Sequence, residues 1–232
     1  LTESVDEPWG VYLHHDLAEM QMVFGDDLAA VRSLDRAERS ARKHGRFAEA
    51  VGVKASQVRT LRRLGDLDRA LDLADEAIRE ARELGLVDVA ARAGAYRSYV
   101  LELRGEHDAA VEQSAQLVAY TDDPAAGITS RKRSAYLINH AFRLVHAGRA
   151  VEGLAAAERA ETLLADQGYD GTYVYAETLW GQAEAHRALG NDSTADALWK
   201  RAAELMLANS HINPVQYDEI LAGRRPVIDP AD

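Results

Sequence analysis

The sequence predicts an all-α repeat protein, an α-solenoid of about five antiparallel helical hairpins closed by a C-terminal capping helix. Three observations predict it. A segment that starts at glycine recurs at nearly constant spacing. Small residues follow each such glycine at helical intervals. No period-2 run of β-branched residues lies between turns.

The recurring segments are "GDDLAAVRSLDRA" from Gly25, "GDLDRALDLADEA" from Gly65, "GEHDAAVEQSAQL" from Gly105, "GRAVEGLAAAERA" from Gly148 and "GNDSTADALWKRA" from Gly190. Their intervals are 40, 40, 43 and 42 residues. Glycine permits the positive φ that ends a helix in a left-handed cap. Five, nine and twelve residues later come positions that set how closely the next helix approaches. They read Ala70, Ala74, Ala77 in the second unit and Ala110, Ser114, Leu117 in the third. The fourth has Gly153, Ala157, Ala160, and the fifth has Ala195, Trp199, Ala202. Trp199 is therefore expected in the core. Only five prolines interrupt the chain, so long helices meet few breaks.

The elements follow in order. First helices are predicted over 8–24, 46–64, 87–104, 128–147 and 173–189. Second helices are predicted over 27–44, 67–84, 107–121, 150–167 and 192–209. Trp9 reads as an N-terminal staple or cap. "NPVQYDEILAG" reads as a short capping helix, with Asn213 as N-cap and Pro214 at the first helical position. The units are 8–45, 46–85, 86–124, 126–168 and 172–210, with a cap over 213–222 and a tail over 223–232. Repeats contact their neighbours, so 1–232 is expected to be a single domain.

Composition narrows the function. Hydrophobic residues make up 47% of the chain, which argues against disorder. Cysteine is absent, which excludes disulfides, thiolate metal sites and cysteine nucleophiles. No run of eighteen apolar residues exists and "LTESVDEPWG" has no signal-peptide pattern, so a cytoplasmic location without a membrane partner is expected. The first residue is not Met, and the chain reads as a piece of a longer protein, an excised domain or a processed product. The net charge of −11 argues against direct nucleic-acid binding. Arginine outnumbers lysine and alanine abounds, the pattern of a GC-rich, bacterial genome.

Chemistry-bearing motifs are missing. His14 and His15 are adjacent and point in different directions on a helix; His140 and His146 also lie off one face. There is no HExxH, no GxxxxGK[ST] and no GxSxG, and "GQAEAHRALG" follows no strand. Runs such as "DEAIREARE" carry i, i+4 charge pairs of a solvated face. The expectation is therefore no catalytic residue, no metal and no cofactor.

The turn glycines, the second-helix alanines and the first-helix small residues Ala18, Ser98, Ala141 and Ala183 together resemble the tetratricopeptide repeat over about residues 8–210. The second unit has Val58 at the first-helix position, the usual closing proline is missing, and the period exceeds the family's 34 residues. Helices of about 17–20 residues account for the longer period. The resemblance implies a right-handed superhelix whose first helices line a groove for a protein or peptide.

Carried onto this chain, the family's ligand-facing positions offer Tyr12, His15, Asp16, Glu19 and Met22 in the first unit and Ser56, Arg59, Arg62 and Arg63 in the second. The third offers Arg92, Tyr96, Tyr99 and Glu102, the fourth Ile138, Asn139, Phe142 and His146, and the fifth Glu177, Trp180, Glu184 and Arg187. The candidate binding residues are Arg59, Arg62, Arg92, Tyr96, Tyr99, Asn139, Phe142, Trp180 and Glu184. Arginine and aromatic residues are the types enriched at binding hot spots. Tyr96, Tyr99 and Trp180 have a second reading as packing between helices. Arginine forks suit carboxylates, so the expected ligand is an acidic peptide or a free C-terminus with an apolar portion, the arginines forming one positive wall. Three functions stay open: a non-enzymatic protein- or peptide-binding module within a larger bacterial regulator; an effector or signal-peptide sensor of a transcriptional regulator or signalling ATPase; and an oligomerisation scaffold.

Overall fold

In the computed structural model the described residues are 9–209 and 214–223. Among them are eleven α-helices, one 3-10 turn (Pro124–Ala126) and no strand. The helices are α1 (Gly10–Val23), α2 (Asp27–Lys43), α3 (Phe47–Arg63), α4 (Leu67–Glu83), α5 (Val87–Leu103), α6 (His107–Asp122), α7 (Ser130–His146), α8 (Ala150–Ala165), α9 (Tyr173–Ala188), α10 (Asp192–Ala208) and α11 (Pro214–Leu221). Their order is that predicted from the glycine spacing. The proposed N-cap Asn213 and the tail from 224 lie outside the described residues.

Two compact units divide the chain. Residues 1–106 carry α1–α5, and residues 107–232 carry α6–α11. In the first unit consecutive helices pack in pairs, and the first helices also form a row, α1 against α3 and α3 against α5. In the second unit α7, α8, α9 and α10 pack in succession, α7 also lies against α9, and α11 packs on α10.

The glycine turns that join consecutive helices repeat one piece of backbone chemistry, to which the first adds a side-chain cap. At the end of α1, Gly25 has φ 77°. Its N–H donates to the Met22 carbonyl at 3.1 Å, and the Asp26 N–H donates to the Gln21 carbonyl at 2.8 Å. These two bonds satisfy carbonyls that the helix end would leave unpaired. The Asp26 carboxylate then accepts from the Ala29 N–H at 3.0 Å, so the residue that closes α1 also caps α2. No atom outside the turn would meet a Cβ at Gly25, so backbone conformation alone selects glycine there. The same positive φ recurs at Gly45, Gly65, Gly85 and Gly105. The underlying module of the first unit is thus one helix and one turn in 20 residues, half the interval at which the sequence repeats.

The small positions are buried as expected. Ala70, Ala74, Ala77, Ala157, Ala160, Ala195 and Ala202 are fully enclosed, and so are Ala18, Ser98, Ala141, Ala183 and the exceptional Val58. Gly153 is small for another reason than the turn glycines. A Cβ there would stand 2.7 Å from Val145 Cγ2 and 3.0 Å from the Ala141 carbonyl oxygen, so α7 and α8 touch backbone to side chain. Trp199 is 3% exposed and belongs to the core of the second unit, as its repeat position predicts. Trp9 stands at the N-cap of α1, makes no side-chain capping bond and is more than half exposed.

Candidate functional site

The inner helices of the first unit bring most of the predicted arginines to one region, and the structure pairs them. Arg59 on α3 donates to Glu19 on α1 at 2.5 Å. Arg63 reaches Asp27 at 3.0 Å and donates to the Met22 carbonyl at 3.0 Å. Arg62 is buried, and its guanidinium lies 4.3 Å above the ring centroid of Tyr99 on α5, a cation–π contact that joins two predicted site residues. His15 and Ser56 are hydrogen-bonded at 3.2 Å. The expected positive wall is therefore a surface of mixed charge, because Glu19 of α1 and Asp27 of α2 face the α3 arginines.

Arg92 is differently placed. It donates from Nη2 to the Gly52 carbonyl of α3 at 3.1 Å, and its Nε is buried without a hydrogen-bond partner. No carboxylate among the described residues pairs with it. A Cβ on Gly52 would stand 3.7 Å from Arg92 Nη2, in ordinary van der Waals contact, so what Gly52 contributes here is its carbonyl. Tyr96, one residue-turn further along α5, is 4% exposed and packed.

In the second unit the predicted residues sit deeper. Asn139 is 2% exposed. Phe142 and Trp180 belong to the apolar core that also holds Leu137, Ile138, Leu179 and Trp199. Burial favours the packing role of these rings, which fill the space between α7 and α9. Glu184 is half-buried and near enough to His146 of α7 to act on its charge. Asn139, Phe142, Trp180 and Glu184 thus share one pair of inner helices, α7 and α9.

Two polar clusters escaped the sequence reading. The Lys54 side chain of α3 is 6% exposed and reaches Glu80 at 2.7 Å, Glu76 at 2.9 Å and Glu38 at 3.9 Å. Arg42 joins it through Glu80 at 2.7 Å and Glu38 at 2.9 Å, so the network ties α2, α3 and α4. Burial pulls the Lys54 ammonium down, but its bonds to Glu80 and Glu76 outweigh that and hold it above the ordinary lysine range. Burial likewise pushes Glu80 up, and Lys54 and Arg42 bring it below the usual carboxylate range. The visible signal was a lone lysine inside the apolar run "AVGVKAS". In the second unit Glu161 accepts from Tyr175 at 2.7 Å and from Gln182 at 2.6 Å, joining α8 to α9. Burial and the Glu161 bond push the Tyr175 phenol up to about 12. Among the described residues no group of three acidic or histidine side chains is arranged to hold a metal, and no helix is long and apolar enough to cross a membrane.

No protein-family model matches the chain, and no curated protein matches it. Solved structures do. A kinesin-light-chain protein of Podosopora anserina with nearly identical TPR-like repeats superposes with a TM-score of 0.68 at 16% identity, covering 88% of this chain and 98% of that one. BtubC (BKLC) from P. vanneervenii gives 0.66 at 16% identity over 85% of this chain and 80% of that one. The Rap conjugation gene regulator of the plasmid pLS20, solved with the Phr* peptide, gives 0.67 at 16% identity. There the match covers 95% of this chain and 62% of the regulator, so this chain spans less than two thirds of its length. The chain has a TPR-like helical-repeat fold.

Proposed function

We propose that this TPR-like array is a non-enzymatic module that binds a protein or peptide segment on its inner helices. In the first unit the segment's carboxylate is held at Arg92. One observation carries the reading: of the inner-face arginines, Arg59 and Arg63 already hold carboxylates, and Arg92 holds only a backbone carbonyl. A guanidinium in that position has donors to spare for a second, bidentate partner. An acidic side chain or a free C-terminus supplies the matching oxygens. Tyr99, with Arg62 stacked on it, offers an apolar surface on the same helix.

A regulator context is the second reading, favoured by the shared fold with a peptide-bound regulator. Under that reading the bound segment is a signal peptide, and the array relays its presence to another part of a longer, cytoplasmic, bacterial protein.

Fluorescence anisotropy tests the anchor. The probes are labelled peptides with aspartate or glutamate near the end, made with a free C-terminal acid or with an amide. Arg92→Ala is expected to weaken the acid form by about 1.5–3 kcal/mol, the range for a hydrogen bond to a charged group. Arg59→Ala is expected to do less, because Glu19 already neutralises it. Equal binding by Arg92→Ala and the parent chain would refute the anchor.

A further inference from the structure

The outward face of α1 carries an apolar row of which the described residues cover only part of Leu17. Leu13, Leu17, Met20 and Phe24 follow one another at spacings of four, three and four, which lines them up along one side of the helix. Leu13 is 44% exposed, Met20 59% and Phe24 81%. The opposite side of the same helix is also apolar: Val11, Ala18 and Met22 are buried against α2 and α3. A helix packed from one direction needs one apolar side. α1 has two, the pattern of a helix that is packed from both directions.

The repeat shows what such a row is for. Forty residues on, its equivalents are Val53, Gln57, Thr60 and Leu64 of α3. Val53 packs into the α1–α2 cluster, Gln57 donates to Asp35 of α2 at 2.7 Å, and Thr60 reaches the Met22 sulfur at 3.1 Å. Forty residues further, Arg97 of α5 donates to Asp75 of α4 at 2.6 Å, repeating the Gln57–Asp35 tie. The row is thus the face on which each hairpin receives its predecessor. In α1 the tie residue has become Leu17, which offers nothing to an aspartate. The occupant of this row is accordingly an apolar helix, unlike the Asp-bearing second helices inside the array.

We propose that the occupant is α1 of a second copy of this chain, the two α1 helices running parallel about a two-fold axis. The row matches itself, and its flanks are of opposite charge. Asp16, exposed, lies along one edge, whereas Glu19 is held by Arg59 of α3; Arg36 and Arg39 of α2, exposed, flank the other, close enough to His14 to act on its charge. Two parallel copies set the acidic edge of each against the arginine edge of the other. Antiparallel copies would set like against like. At 14 residues α1 is about 21 Å long, so the contact is smaller than the roughly 800 Å² per partner of a standard interface and pairing is concentration-dependent.

Sedimentation equilibrium of the whole chain over a wide concentration range reads this directly. The expected mass rises from 25.4 kDa toward twice that value. Met20→Glu should hold it at 25.4 kDa with an unchanged helical circular-dichroism spectrum. The direction is read by disulfide trapping, which the absence of native cysteine makes clean. Leu13→Cys and Phe24→Cys should each cross-link to themselves on oxidation. Cross-linking of L13C only with F24C or M20C would mean antiparallel helices and overturn the parallel arrangement. A parent chain that stays at 25.4 kDa at every concentration, or a dimer that Met20→Glu leaves intact, would overturn the interface. A constant monomer would assign the row to a helix outside the described residues, of this protein or another.

Discussion

α3 of the first unit and α9 of the second occupy the same place in their repeats, and each is enclosed on almost every side. Their interiors differ. α3 buries Lys54, Ser56, Gln57, Thr60 and Arg62, and its neighbours answer with carboxylates, an amide-binding aspartate and a tyrosine ring. α9 buries Leu179 and Trp180 in an apolar cluster with Phe142 and Trp199, beside the buried polar residues Glu177, Thr178 and Gln182, the last tied to Glu161. One period therefore admits two ways of holding inner helices together. Close approach of backbones depends on the small positions, which both units share. The side chains between those positions are at liberty to be ionic or aromatic, and each choice has its own sensitivity to truncation, acid and salt.

The largest expected effect is in the aromatic unit. Trp180→Ala removes a ring that is 8% exposed and leaves a cavity between α7 and α9. A loss of about 3–5 kcal/mol in urea unfolding is expected. A loss below about 1 kcal/mol would mean that Trp180 stands outside the core, as a ligand-facing ring would.

Lys54→Ala probes the ionic unit. It strips the shared cation from Glu38, Glu76 and Glu80 and leaves Arg42 to hold two of them. A buried pair broken on one side loses about 3–5 kcal/mol. Half-exposed Glu76 returns to water, so about 2–4 kcal/mol is expected here. Lys54→Met should recover part of the loss, since it keeps the packed stem.

Gly153→Ala comes next. The new methyl group meets Val145 and the Ala141 carbonyl, and α7 and α8 must part to admit it. About 1–3 kcal/mol is expected in the same unfolding measurement. Gly25→Ala fails for a different reason, backbone strain, and leaves the helix packing alone.

Acid separates the two units last and most gently. Burial, with Arg36 and Arg39, holds His14 of the first unit below 6.5; burial, with Arg149, does the same for His140 of the second against the pull of Glu152. A histidine depressed in the folded state takes its proton first in the unfolded chain. Stability from both is complete above pH 6.5 and declines as the pH falls below it. The lowered Glu80 adds a second stage, present above pH 4.5 and lost as the pH falls through its folded-state value. Hydrogen exchange read helix by helix should show both units loosening in the first stage. In the second, the Glu80 network should add a loss in α2, α3 and α4.

The helices were legible in the sequence because glycine at a helix end is a local requirement. Gly25, Gly65, Gly105, Gly148 and Gly190 report their own φ whatever surrounds them. Packing at Ala70, Ala74 and Ala77 was legible for a related reason: spacing alone puts them on one side of α4, where only small side chains permit contact. The candidate site was legible in part. Residue type and repeat position named Arg59, Arg62 and Arg92 together, but not that Glu19 occupies the first, Tyr99 underlies the second and Gly52 supports the third.

Local sequence thus determined the helix ends, the repeat and the small-residue contacts, all of which depend on neighbours within a turn or two of the chain. The charge of the inner wall, the burial of Phe142 and Trp180 and the Lys54 network were decided only by tertiary structure. Arg59 meets Glu19 across 40 residues, and Lys54 meets Glu80 across 26. Whether a charge at such a distance is paired depends on the rotation of one helix against another, which side-chain packing sets and residue spacing alone does not.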